Sequence, residues 1–215
     1  MRLVSLASGS DGNSTYIGSE NTHILVDAGI SNKKIETRLN ELGLCGRDIS
    51  GIFLTHEHSD HIAGLEVFVR KNEIPVYASS GTFRYLKNKE KYSKITDYFH
   101  IIESKKYIRL GDLEVLAFDI DHDANEPFGY RVECGDKKIA VATDLGRYTK
   151  DIVDNLSNLD ALLIEANHDI RMLETGPYPY ELKRRILSER GHLSNENSGR
   201  LICEILNAGL KKIFL

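Results

Sequence analysis

The sequence predicts an α/β fold in four layers, an αββα sandwich. Three observations lead there: two strand-rich halves, roughly 1–110 and 111–215, helices that decorate each half, and opening strands joined by short polar turns. No Pro- or Gly-rich linker or low-complexity tract divides the 215 residues, so one domain, 1–215, is expected. A doubly wound sheet fits less well, because its strands would be separated by helices from the start.

Strands are expected at 2–7 and 14–17, around the turn Ser8-Gly9-Ser10-Asp11-Gly12-Asn13, and at 22–26, ending in Asp27-Ala28-Gly29. Short neighbours of this kind predict a mostly antiparallel sheet at this end. Ser31 is a suitable N-cap for a helix over 31–42, with Ile35, Leu39 and Leu42 on one stripe and Gly43 as its stop. The run Gly51-Ile52-Phe53-Leu54-Thr55 reads as a strand buried on both faces. A helix then runs to about Asn72 on Ile62, Leu65, Phe68 and Val69, followed by a strand at 75–78 and a short exposed helix at 82–89. In the second half, 113–118 is a strand, and 128–133 with 138–142 forms a hairpin around Cys134-Gly135-Asp136-Lys137. A buried strand is expected at 161–165. A helix over 194–207 is expected to bury Leu201, Ile202, Ile205 and Leu206 and to end at Gly209, and a last strand begins at Lys211.

Composition narrows the function. A hydrophobic fraction of 41% against 28% charged residues supports a folded core and excludes a disordered or fibrous chain. No apolar run approaches the roughly twenty residues that span a bilayer, and Met1–Leu6 turns polar too soon for a secretory signal, so a cytoplasmic location without membrane partners is expected. Cys45, Cys134 and Cys203 are odd in number and lack CxxC spacing, against both a disulfide framework and a cysteine zinc site. A net charge of −4 gives no global attraction for nucleic acid but leaves room for a local basic groove.

The chemistry concentrates in His56-x-His58-x-Asp60-His61, directly after the buried strand, where polar side chains emerge on a rigid support. His56 and His58 project to one side of an extended segment, while Asp60 and His61 turn away towards a second ion. Imidazole with carboxylate suits zinc, with manganese and iron as alternatives.

This segment resembles the HxHxDH signature of the metallo-β-lactamase superfamily, which makes the expected sandwich one of the metallo-β-lactamase type. The resemblance implies two divalent ions. His122, in Asp121-His122-Asp123, resembles the third His of the first site, beside His56 and His58. Asp60 and His61 take the second ion, and Asp144, in Thr143-Asp144-Leu145-Gly146, resembles the bridging carboxylate. Asp27 resembles an early Asp that supports the site. The opening Ala7-Ser8-Gly9-Ser10-Asp11-Gly12-Asn13-Ser14, the run Glu165-Ala166-Asn167-His168-Asp169, and Arg185-Ile186-Leu187-Ser188 with Gly191-His192-Leu193-Ser194 are similar to the YycJ/WalJ-like group over essentially the whole chain. That group is related to RNase Z-type nucleases and is described as acting on DNA with 5′-to-3′ exonuclease activity. The resemblance therefore implies phosphodiester hydrolysis of DNA by a metal-bridging hydroxide. Members carry a final His after the last strand. Here the sequence stops at Leu215, so the C-terminal strand and final segment are expected to be truncated and the second ion to be held weakly by Asp60, His61 and Asp144.

Other residues keep two readings. His192 precedes a helix, so a capping or packing role stands beside that of a proton donor oriented by Glu165, the role the resemblance implies. Asp60, His192 and Glu165 are the residues expected to carry catalysis. Ser8, Ser10 and Asn13 offer a phosphate-binding loop, and equally a tight turn beside the metals. His168 lines the cleft without being a ligand, and His23 and His100 read as ordinary strand residues. Lys183-Arg184-Arg185 and 87–91 are placed to meet phosphates, although charge runs are usually solvated helix faces. Two other functions use the same motif: hydrolysis of a small carbonyl compound such as a β-lactam or thioester, and a metal-binding regulatory module without turnover. Oligomeric state is not encoded in these features.

Overall fold

Residues 8–13 reverse the chain between β1 (Arg2–Ala7) and β2 (Ser14–Gly18), which pair antiparallel with Leu3 opposite Ile17, and β3 (His23–Val26) adds antiparallel to β2. From there the chain crosses through α1 (Asn32–Glu41) to β4 (Ile49–Phe53). It continues through α2 (Ser59–Ile62) and α3 (Leu65–Asn72) to β5 (Val76–Ala78), and through α4 (Ser80–Lys87) to β6 (Phe99–Ile101). Each of these strands lies parallel to the one before it, in the order β1-β2-β3-β4-β5-β6. The antiparallel character expected of this sheet therefore stops at β3, because a connection that returns along a helix re-enters the sheet at the same end.

The computed structural model describes residues 1–206 and 209–215. These form two compact units, Met1–Ala117 with Ala124–Phe128, and Phe118–Asp123 with Gly129–Leu215. The first unit also holds the hairpin of β7 (Tyr107–Leu110) and the start of β8 (Leu113–Asp119), the strand in which the chain changes unit. In the second unit β9 (Phe128–Cys134) and β10 (Lys137–Ala142) pair antiparallel around Gly135 at φ +58, where glycine costs nothing. After α5 (Lys150–Asn155), β11 (Ala161–Ile164) joins parallel to β10. Then come α6 (Ile170–Thr175), α7 (Tyr180–Ile186), α8 (Asn195–Ile205) and β12 (Lys212–Phe214), which is parallel to β11. The second sheet runs β12-β11-β10-β9-β8-β7. Two mixed sheets flanked by helices are the layers that an αββα sandwich requires.

Local chemistry explains most boundaries. The Ser31 hydroxyl accepts from Lys34 N–H and caps α1, which buries Ile35 and Leu39. β4 is buried on both faces, as its apolar run predicts, and packs into a core with Leu25, Phe68 and Val76. The second unit has its own core, built from Phe118, Ala140, Leu162, Ile164, Leu201 and Ile205.

Three expectations are corrected. The helix after the histidine motif is two helices, because Gly64 donates its N–H to Ala28 C=O and a Cβ there would lie 2.0 Å from Ile30 O. The helix near residue 82 is not exposed: α4 buries Phe83, stacked on Phe99 at 4.3 Å, and Leu86. At the far end, α8 stops at Ile205, so Leu206 turns extended and is exposed, and Ile202 is only half-buried. The predicted end of that helix, Asn207, lies outside the described residues. Among the described residues the cysteines form no disulfide, and no helix is long and apolar enough to cross a membrane.

Candidate functional site

In the first unit, β4 ends at Phe53 and the buried Leu54-Thr55 step delivers His56 into the interior, fully buried. Beside it, Asp27 follows β3 at φ +63, a left-handed conformation that Asp tolerates because its short side chain bonds locally. That backbone turn aims the buried Asp27 carboxylate at the motif. Its Oδ1 accepts Thr55 N–H at 2.8 Å, and its Oδ2 accepts the Thr55 hydroxyl at 2.8 Å and His61 Nδ1 at 2.8 Å. Burial pushes the Asp27 carboxyl pKa up, opposed by the charge and hydrogen bond of His61 and by the Thr55 bonds.

These bonds set the tautomers. With Asp27 accepting, the His61 proton sits on Nδ1 and Nε2 presents a lone pair. The Thr55 hydroxyl, which donates to Asp27, has lone pairs for His56 Nδ1 at 3.0 Å, so His56 also presents Nε2. His56 has a ligand atom within 4.8 Å of one on His58 and of one on His61. The His56 and His61 rings lie 4.1 Å apart, and those of His56 and His58 lie 4.5 Å apart, edge-on. His61 Nε2 is 3.4 Å from Asp60 Oδ2, and Asp60 itself sits in the first turn of α2. Histidines whose Nδ1–H is held by an acceptor while Nε2 points elsewhere are what a metal site needs.

The turn at 8–13 serves this motif directly. Asn13 Nδ2 reaches Asp60 Oδ2 at 3.3 Å and His61 Nε2 at 3.1 Å, and its backbone N–H donates to Asp60 C=O at 2.7 Å. Ser8 and Ser10 stand exposed on the same loop.

In the second unit, Asp144 follows β10 at φ +52, the counterpart of Asp27 after β3. Each is followed two residues later by a glycine where a Cβ would collide with backbone. At Gly29 the obstacle is Asp60 O at 1.6 Å, and at Gly146 it is Glu189 O at 2.3 Å. His122, fully buried, donates Nδ1–H to Gly191 C=O at 3.0 Å. Burial holds its pKa below the usual histidine value, opposed by Asp144 and the Gly191 carbonyl. His122, Asp144 and His192 each offer a ligand atom, all within 4.8 Å of one another.

Glu165, at the end of β11, ties this group together. Its Oε1 accepts His192 Nδ1 at 2.6 Å, while Oε2 accepts Leu145 N–H at 2.9 Å and Leu193 N–H at 3.2 Å. One carboxylate therefore orients His192 and braces the backbone beside Asp144. Burial raises the Glu165 pKa, opposed by His192. For His192, burial pulls the imidazole down, but the Glu165 hydrogen bond and charge, with Asp144, outweigh it and leave the pKa raised. The Glu165–His192 pairing is thus present, and His192 is not the cap of α8: Ser194 is, accepting Asn197 N–H. His168 lies next to the group with both ring nitrogens buried and, among the described residues, without a hydrogen-bond partner. His23 bonds the Tyr16 hydroxyl, and His100 stacks on Tyr77.

Two contributors escape a reading of the sequence. The sequence marks Thr55 only as the end of a buried strand, yet its hydroxyl contacts Asp27, His56 and His61. Glu57, a variable position of the motif, is buried and accepts Asn125 N–H at 2.8 Å, Asn125 Nδ2 at 2.5 Å and the Thr82 hydroxyl at 3.3 Å. The sequence signal is a carboxylate between two histidines directly after a buried apolar strand, a position where charge needs partners.

Comparison with known proteins places this geometry. A model of the β-lactamase superfamily domain matches residues 22–209. The chain is 41% identical over 211 residues, 98% of this chain and 78% of the relative, to an exodeoxyribonuclease WalJ of Streptococcus pneumoniae. It is 39% identical over 211 residues, 98% of this chain and 79% of the relative, to an exodeoxyribonuclease YycJ of Bacillus anthracis. Among solved structures, the short form of human tRNase Z shares the fold, with a TM-score of 0.72 at 18% identity over 99% of this chain and 95% of that one. With grouped His and Asp side chains carrying oriented tautomers on that fold, the chain belongs to the β-lactamase superfamily and is a metal-binding hydrolase.

Proposed function

We propose that this chain is a two-metal phosphodiesterase acting on DNA, an exonuclease of 5′-to-3′ polarity in the cytoplasm. The observation that carries the proposal is the Glu165–His192 pair, 2.6 Å apart and grouped with Asp144. An alkoxide leaves when a phosphodiester breaks, and it needs a proton donor, whereas a strained amide or thioester depends on one less. The two exodeoxyribonucleases at 41% and 39% identity support the same reading.

His56, His58 and His122 are assigned to one ion, Asp60 and His61 to the other, and Asp144 to both, with zinc as the expected metal and manganese or iron as alternatives. When bound, such ions acidify water towards neutrality and offset charge on the phosphoryl oxygens. The protein's own residues do the rest. Asp27, Thr55 and the Gly191 carbonyl hold the Nδ1 protons of His61, His56 and His122, so that each of these three would offer Nε2 to an ion. Glu165 holds Nδ1–H of His192 and favours its protonated form, so that Nε2–H would serve the departing sugar oxygen. Ser8 and Ser10, exposed on the 8–13 loop, would offer hydroxyls to a phosphate, while Asn13 braces Asp60 and His61.

The test combines elemental analysis with cleavage of a 5′-phosphorylated duplex in Mn²⁺ or Zn²⁺. Two ions per chain with exonucleolytic cleavage support the reading. His192→Gln is expected to lower turnover while metal content stays. Loss of metal in that variant would make His192 a ligand and remove the proton-donor role. Hydrolysis of β-lactams or thioesters with no cleavage of DNA would overturn the assignment of substrate.

A further inference from the structure

We propose that residues 170–187 form a docking arm for an unpaired strand of the nucleic-acid substrate, an inference that rests on the phosphodiesterase reading above. The segment is unusual in what it leaves outside. α7 buries none of its residues, and α6 buries only Leu173. Among the described residues, six of the eleven large hydrophobic side chains that stand exposed belong to it, with Met172 73%, Tyr178 53% and Tyr180 74% exposed. The two tyrosines alternate with Pro177 and Pro179, whose rings fix the backbone. Little conformational freedom is therefore lost when the rings are covered.

Charge says what covers them. The segment carries four basic residues, Arg171, Lys183, Arg184 and Arg185, against two acidic ones, Glu174 and Glu181, in a chain of net charge −4. Arg184 pairs with Glu181 only at 3.2 Å on open surface, with side chains 70% and 76% exposed, an ion pair that a phosphate oxygen displaces readily. Flat aromatic faces between cations on a rigid support are how proteins hold single strands: rings stack on bases and guanidinium groups meet phosphates. A second copy of this chain would bury the same apolar faces but would bring like charge against like.

The base of the arm is built into the site. Arg185 holds the Asp123 carboxylate with two nitrogens, at 2.5 and 3.2 Å, next to His122. The Ile186 carbonyl accepts His192 N–H at 3.0 Å, and Gly191, whose carbonyl holds His122, donates to Ser188 C=O at 2.9 Å. Lys183 Nζ bonds the Glu174 carbonyl at 2.8 Å and ties α7 to α6. A strand lying on Tyr178 and Tyr180 is thus held by an element that shares its backbone bonds with His122 and His192.

The experiment is fluorescence anisotropy of a short 5′-phosphorylated single-stranded DNA on the full chain in chelator, alongside turnover of bis(p-nitrophenyl) phosphate with Mn²⁺ as a control for folding and site. Tyr178→Ala/Tyr180→Ala is expected to weaken binding roughly 10- to 100-fold with small-ester turnover unchanged. Tyr178→Phe/Tyr180→Phe keeps the affinity, because it keeps the stacking faces. Arg171→Gln/Arg184→Gln flattens the salt dependence by about one unit of slope. Unchanged affinity in the alanine variant overturns the proposal, as does equal loss in the phenylalanine variant. It is also overturned if the alanine variant dissolves a dimer while binding DNA normally. Wild-type protein that cleaves DNA with arm-independent binding refutes the arm alone. Arm-dependent binding without hydrolysis of any phosphodiester upholds the arm and refutes the phosphodiesterase reading alone.

Discussion

Replacing Glu57 by alanine tests whether a buried carboxylate inside the histidine motif holds the loop that follows His122. Glu57 accepts two bonds from Asn125, at 2.8 and 2.5 Å, and one from the Thr82 hydroxyl at 3.3 Å. The same loop is gripped a second time, since Glu126 accepts Gly81 N–H at 2.7 Å and the Ser80 hydroxyl at 3.0 Å. Asn125 is itself exposed, so water replaces part of what is lost there, and Thr82 retains contacts to Ser79 and the Asn125 carbonyl. Each charge-assisted bond to Asn125 is then worth about 1 kcal/mol, and with the lost Thr82 contact the whole change costs about 2–3 kcal/mol. For a chain of this size that is a fall in Tm of about 4–12 °C. In a double-mutant cycle, Glu57→Ala and Asn125→Ala should couple by about 1.5 kcal/mol, because the second substitution removes the same bonds as the first. Urea denaturation of the four proteins measures this, and metal content measured alongside is expected to fall about 10-fold in affinity. Coupling below about 0.5 kcal/mol would refute the latch.

Further predictions concern the supports of the site. Asp27→Asn keeps a residue that tolerates positive φ but removes the charged acceptor of His61, so Zn²⁺ affinity should drop about 10- to 100-fold in competition with a chromophoric chelator. Unchanged affinity would mean that the tautomer is set by something else. Gly29→Ala places a Cβ 1.6 Å from Asp60 O, and the displaced backbone should reduce turnover by about 100-fold; wild-type kinetics would show that the close approach is relaxed in solution. Asp112, its pKa lowered to about 2 by bonds from the Thr22 and Ser19 hydroxyls, stabilises the fold while ionised. Its folded value lies below its unfolded one, so the advantage in Tm over Asp112→Asn should be full above about pH 4 and disappear as pH falls through about 2. An advantage independent of pH would place its origin elsewhere.

The sequence by itself determined the chemistry and its address. A buried apolar run ending in His56-x-His58-x-Asp60-His61 can only present those side chains at a strand's end, since period and burial are local properties. Asp27 and Asp144 were legible only through their resemblance to the family's carboxylates. So was the pairing of His192 with Glu165, through resemblance rather than through spacing. Tertiary structure decided which groups hold the ligands. Asn13 meets Asp60 and His61 across 47 and 48 residues, and Glu57 meets Asn125 across 68. Glu165 divides its two oxygens among His192, Leu145 and Leu193. Such partners depend on strand register and on loop closure over long separations, and a change of one residue in register would send each side chain to the opposite face. The exposure of residues 170–187 was undetermined for the same reason. Whether an apolar stripe is covered depends on what the rest of the chain brings against it, and here the described residues bring only Leu173 inside.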